Sequence, residues 1–189
     1  MILTVIWEDQ RGVLAKGFGP HELLVSCLAD DLQPDGAALQ RYEVEASVES
    51  TPMKGNGKVL RTLKSDLARL RRRGPVVAVL DRDRILDYWQ PGQRPAACLT
   101  AIRRAIFADA PGDYELVLLS ENVETLMQAC CDATSTTMPL GKPSPDERDN
   151  ILGRAAWAHA AVRTQVRAAV PSFERLVSKV REQVRAALE

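Results

Sequence analysis

The sequence predicts an α/β fold, a small, mainly parallel four-stranded sheet flanked by helices, with a C-terminal helical extension. Three observations lead there. Short β-rich runs alternate with stretches of helical spacing, the signature of parallel strands joined by crossover helices. One run, Val76-Val77-Ala78-Val79-Leu80, is apolar at every position, as a strand buried on both faces must be. Beyond residue 132 the alternation stops, and Ala-rich, Arg-rich sequence takes over.

The first strand is expected at Ile2–Trp7 and the second at Tyr42–Val48. Between them Gly19-Pro20 opens a helix through Leu23, Leu24, Cys27 and Leu28, with proline at the first turn, where its missing N–H costs nothing. Lys58 to Arg73 reads as a second helix, its apolar stripe made by Val59, Leu60, Leu63, Leu67 and Leu70. Arg71, Arg72 and Arg73 suit the negative helix terminus, and Gly74-Pro75 stops it. The third strand is Val76–Leu80 and the fourth Tyr114–Leu119. A helix from about Pro95 to Ala108 separates them, and another starts near Ser120 with Val123, Leu126, Met127 and Cys130 on its apolar face. A loop through Pro139, Gly141, Pro143 and Pro145 leads to the helix start Ser144-Pro145-Asp146-Glu147. Val170-Pro171 then divides the tail into two helices. The expected organisation is an α/β domain over residues 1–131, a loop over 132–144, and a helical extension over 145–189 packed on the same domain.

The chain has 189 residues, with 25 basic and 25 acidic side chains, so its formal charge is zero. That balance conceals four blocks. Residues 1–53 carry a net −6, 54–73 a net +7, 74–147 a net −5 and 148–189 a net +4. Zero net charge therefore does not exclude a polyanionic partner. Aromatic residues make up only 5%, which argues against a many-ringed base-stacking platform. No apolar run reaches the roughly 20 residues that span a bilayer. The segment Met1–Glu8 lacks a basic lead and a small-residue cleavage site, so it is expected to be a strand and not a signal peptide. Cys27, Cys98, Cys130 and Cys131 lack CxxC spacing, and with only His21 and His159 beside them they read as buried free thiols of a cytoplasmic protein.

In open parallel sheets, ligands bind beyond the carboxyl ends of the strands. Acids fall there repeatedly: Glu8 after the first strand, Asp81 and Asp83 after the third, Glu121 and Glu124 after the fourth. Converging carboxylates repel one another, and a hard cation such as Mg²⁺ relieves the repulsion. The basic block adds a place for phosphates. Gly55-Asn56-Gly57 lies between Lys54 and Lys58, and Arg61 and Lys64 follow on the helix, so backbone and cations could approach a polyanion together. The tail bases Arg154, Arg163, Arg167, Arg175, Lys179, Arg181 and Arg185 could extend that surface or simply solubilise Ala-rich helices. His21 could donate to a phosphate or act as an ordinary residue of a helix start.

A Glu ending the first strand and an Asp-x-Asp ending the third resemble the Toprim domain, the Rossmannoid metal-binding fold of topoisomerases, bacterial primases, OLD-family nucleases and small stand-alone bacterial Toprim-like proteins. The resemblance covers residues 1–131. It implies Glu8 as general acid/base or metal ligand and Asp81 and Asp83 as ligands of Mg²⁺ or Mn²⁺. Glu121, Glu124 and Lys142 stand where nuclease members carry assisting acids and a lysine. The function implied is a metal-dependent nuclease hydrolysing phosphodiesters of DNA or RNA, with Lys54, Lys58, Arg61 and Lys64 holding the nucleic acid.

Two other readings stay open. Val-Val-Ala-Val-Leu-Asp-Arg-Asp-Arg also resembles the first motif of haloacid-dehalogenase-type phosphatases, which would make Asp81 the nucleophile and Asp83 the acid/base. Leu119-Ser120 and Gly141-Lys142-Pro143 would then be the second and third motifs. Alternatively the chain is a non-catalytic module working beside a partner such as an ATPase, its tail a docking surface. No membrane partner is expected, and assembly into a homo-oligomer stays open.

Overall fold

The computed structural model describes residues 2–9, 17–32, 41–81, 100–102, 104, 114–119 and 123–188. Its strands are β1 (Leu3–Asp9), β2 (Val48–Lys54), β3 (Val76–Asp81) and β4 (Tyr114–Leu119). They form one sheet in the order β2-β1-β3-β4, and every pairing is parallel. The register sets Val5 beside Ser50, Ile6 beside Ala78, and Val79 beside Val117. Parallel neighbours need crossovers, and helices supply them on both faces.

Side chains alternate across the sheet and divide the core in two. Ile6, Val76, Ala78 and Leu80 face α3 (Asn56–Arg71), whose Val59, Leu60, Leu63, Leu67 and Leu70 form one stripe at helical spacing. Ile102 packs in the same layer. Leu3, Val5, Trp7, Val77, Val79 and Val117 face the other way. Over them lie α1 (Gly19–Asp31), α4 (Val123–Ala133), α5 (Pro145–Trp157), α6 (Ala160–Ala169) and α7 (Pro171–Leu188). The fold is thus α/β with a parallel sheet covered on both faces, α3 lying on one and, among the described residues, five helices on the other.

β1, β3 and β4 stand where the alternation of runs predicts them, but the second strand does not. Residues predicted as strand from Tyr42 onward form α2 (Arg41–Ser47), and β2 starts only at Val48. Tyr-Glu-Val-Glu alternates with period two, yet within it Val44 alone is buried while Tyr42 is 67% exposed. One buried residue per seven suits a short surface helix, and Ser47 Oγ closes it by donating to the Glu43 carbonyl at 2.9 Å. The true strand buries Val48, Ser50 and Pro52 in turn. Pro52 donates no ladder hydrogen bond, which an edge strand tolerates.

The tail differs from expectation by one break. Ser144 caps α5 in a capping box with Glu147, and Val170-Pro171 divides α6 from α7, as the sequence indicates. A further break at Ala158-His159 separates α5 from α6. No proline makes it. Arg163 instead donates through Nη1 to the carbonyls of Ala156 and Ala158, satisfying the end of α5 from the next helix. The predicted helix over Pro95–Ala108 lies mostly outside the described residues; 100–102 and 104 are helical. Among the described residues no helix is long and apolar enough to cross a membrane.

Candidate functional site

β1 and β3 are neighbours at the centre of the sheet, so their carboxyl ends emerge side by side. Glu8 is the penultimate residue of β1, and Asp81 is the last of β3. Both line one small cavity, with Trp7, Phe18, Val79 and Arg148 among its other walls. Its volume of about 20 Å³ admits about one water-sized body. A wider groove of about 940 Å³ runs past Glu22, Asn150, Arg154 and Trp157, and Glu8, Asp81, Glu124 and Lys142 are not among its walls. The small cavity brings together two of the carboxylates predicted from sequence.

The backbone around it is fixed by polar clips. Asn56, at the start of α3, donates through Nδ2 to the Asp81 carbonyl at 3.0 Å and accepts from the Asp81 N–H at 3.3 Å. This side chain replaces a ladder pairing and ties the N-terminus of α3 to the carboxyl end of β3. Gly55 just before it has φ 83°, a conformation that glycine adopts without strain. On the other side, Trp7 Nε1–H donates to Ser50 Oγ at 3.0 Å, and that hydroxyl shares a 2.8 Å hydrogen bond with His21 Nδ1. Burial pushes the His21 pKa below its ordinary 6.5, with Glu22 and Glu45 opposing. The Ser50 oxygen accepts from Trp7, and a neutral His21 with its proton on Nε2 would accept the hydrogen bond of the Ser50 hydroxyl. His21 thus positions a wall of the cavity and is committed to Ser50.

Arg148 enters from α5. It is 9% exposed, and Asp149 Oδ1 accepts from its Nε at 3.2 Å and its Nη2 at 3.1 Å. Its guanidinium carbon lies 5.8 Å from the centre of the Phe18 ring, within cation–π range. Sequence reasoning missed this residue. The available signal was its position: Arg148, Leu152, Ala155 and Ala156 occupy one helical stripe, so a charge stands where a buried residue belongs.

The other predicted residues distribute as follows. Glu124 is exposed in the first turn of α4, beside Val123, which does line the cavity. Lys142 is exposed in the loop before α5 and is not among the cavity walls. Asp83 and Glu121 lie outside the described residues. Among the described residues no group of three or more His, Cys, Asp or Glu side chains is placed to hold a metal ion. Two carboxylates with one arginine are what the cavity shows. Lys54, Lys58, Arg61 and Lys64 are all exposed at the end of β2 and along α3.

Part of the Arg-rich tail pairs within the fold. Arg163 forms a two-pronged pair with Asp30, its Nε and Nη2 donating at 2.5 and 2.6 Å. Arg167 binds Asp31 at 2.7 Å and also pairs with Glu174, while Arg181 reaches Asp31 at 3.0 Å. Asp30 and Asp31 stand at the C-terminus of α1, where the helix dipole disfavours negative charge, and these arginines offset it. Arg185 adds a hydrogen bond to the Asp31 carbonyl at 3.3 Å, so four of the seven tail bases tie α6 and α7 to α1. The thiols of Cys27 and Cys130 are buried and pushed up to about 12, so they stay protonated and suit packing, not metal ligation.

Comparison with protein-family models, curated proteins and solved structures finds no match for this chain.

Proposed function

We propose that the protein is a metal-dependent phosphodiester hydrolase acting on nucleic acid, of the Toprim-like kind that its sequence resembles. The observation that carries this reading is the convergence of Glu8 and Asp81, from adjacent parallel strands, on one cavity at the carboxyl edge of the sheet. The residues fit a small hard cation. Mg²⁺ is commonly held by one or two carboxylates and completes its shell with water and substrate phosphate. Glu8 and Asp81 would hold Mg²⁺ or Mn²⁺, with Asp83 as the further ligand implied by the resemblance. When bound, such an ion polarises a phosphoryl oxygen and lowers the pKa of water.

The chain's own groups do the rest. A carboxylate at Glu8 takes the proton as the water oxygen forms its bond to phosphorus. The ester P–O bond breaks on the opposite side, and the proton passes to the departing oxygen, leaving a phosphomonoester and a hydroxyl. Lys54 and Lys58 flank the N-terminus of α3, which Asn56 holds against Asp81. Arg61 and Lys64 continue the positive charge along α3, the three bases from Lys58 to Lys64 spanning about 9 Å of helix rise, a track that would bind the phosphate backbone without reading sequence. The phosphatase alternative requires Lys142 against Asp81, whereas Lys142 is exposed and does not line the Asp81 cavity.

The test is cleavage of labelled DNA and RNA in Mn²⁺ by the wild-type chain, Glu8→Gln and Asp81→Asn. Loss of cleavage by at least about a hundredfold in both variants is expected. Undiminished cleavage by Glu8→Gln would overturn the Toprim-like assignment, and a wild-type chain that cleaves neither polymer would favour the non-catalytic module.

A further inference from the structure

We infer that Arg148 is the phosphate-holding residue of this site, so that the C-terminal helices complete it. The inference rests on the reading of Glu8 and Asp81 as a cation-binding pair, and three observations carry it. First, Arg148 lines the same small cavity as those carboxylates, although it comes from the part of the chain that follows the α/β alternation. Second, its guanidinium is held from behind. Asp149 takes the Nε–Nη2 edge, and Phe18 lies under the cation, which fixes the plane of the fork. A fixed planar fork matches two oxygens of a phosphate better than a mobile ammonium does.

Third, the helix that carries it is seated closely. A Cβ built on Gly19 would stand 2.7 Å from the Cα of Asp149, 2.9 Å from its carbonyl oxygen and 2.9 Å from Leu152 Cβ. Glycine there lets α5 press onto the start of α1, and this close approach brings Arg148 to the mouth of β1 and β3.

The experiment uses the full chain with Arg148→Gln and Arg148→Lys, folding being checked by circular dichroism. Mn²⁺ affinity is measured by electron paramagnetic resonance. Binding of short fluorescent DNA and RNA oligonucleotides with phosphorothioate linkages is measured by anisotropy in Ca²⁺. Arg148→Gln should keep Mn²⁺ affinity within about threefold of wild type, or improve it, and weaken oligonucleotide binding at least about tenfold. Arg148→Lys, which keeps charge and stem, should fold, hold Mn²⁺ as before and weaken oligonucleotide binding about threefold or more. Unchanged oligonucleotide binding by a folded Arg148→Gln, or by Arg148→Lys should the glutamine variant not fold, overturns the role of Arg148 alone. Absence of Mn²⁺ binding by the wild type overturns instead the cation-binding reading of Glu8 and Asp81.

Discussion

Replacing Gly19 by alanine isolates the contact that seats α5. Gly19 is the first residue of α1, with Phe18 as its N-cap, and helix propensity alone would favour alanine by up to about 1 kcal/mol. Packing opposes this. The added methyl would stand 2.7 and 2.9 Å from the Asp149 backbone and 2.9 Å from Leu152 Cβ, and backbone cannot rotate away. Overpacking of this kind costs about 1–3 kcal/mol, so the net effect should be destabilisation by roughly 1–2 kcal/mol. For a chain of this size that lowers Tm by about 2–8 °C. Gly153, inside α5, is the control. A Cβ there meets nothing within 4 Å, so Gly153→Ala should be neutral or stabilising by up to about 1 kcal/mol. Urea and thermal unfolding by circular dichroism measure both variants. Should Gly19→Ala prove as stable as wild type, α5 is not held by close contact at that position and the account of its seating is wrong.

Two other perturbations probe the polar framework. Asp30→Asn leaves Arg163, whose side chain is 10% exposed, without its carboxylate, and should destabilise the fold toward the lower end of the roughly 3–5 kcal/mol typical of broken buried pairs, since Asp30 is partly exposed; a loss below about 1 kcal/mol in urea unfolding would show the pair to be ornamental. His21 has a folded-state pKa lowered by burial, so its stabilising contribution is complete above 6.5 and is lost as pH falls from 6.5 through the depressed value. His21→Gln should therefore flatten the decline of stability between about pH 7 and 5, and an unaltered slope would mean that His21 titrates as it does in the unfolded chain.

The fold was legible in proportion to how far each signal is local. Val76–Leu80 declares a central strand because only burial on both faces suits five consecutive apolar residues. Ser144-Pro145 declares a helix start because cap and first turn are chemically specified. Residues 41–47 were misleading because a period-two pattern shorter than two helical turns fits either structure, and tertiary burial of Val44 alone decided it. The site divides likewise. Glu8 and Asp81 were legible because the parallel sheet fixes where strand ends converge. Arg148 was not, because the rotation of α5 about its axis is set by Gly19 and Leu152, far apart in sequence. The tail arginines were legible as charge but not as partners, since Asp30 and Asp31 precede them by more than 130 residues.

That separation bears on how the chain is made. The C-terminus of α1 carries two carboxylates whose partners, Arg163, Arg167 and Arg181, leave the ribosome only after the whole sheet has been translated. The close of α1 waits for them, with Asp31 and Arg181 joined across 150 residues. Contacts of such high sequence separation form late and slow folding. The sheet and α3 are encoded within the first two thirds of the chain and can pair while α5, α6 and α7 are still being translated. During that interval the face bearing Val5, Val77 and Val79 has yet to receive α5, α6 and α7, and exposed apolar surface at that stage invites association with other chains. Arg148 also follows the sheet in the chain, so the cavity gains this cation only after β1, β3 and β4 have been translated.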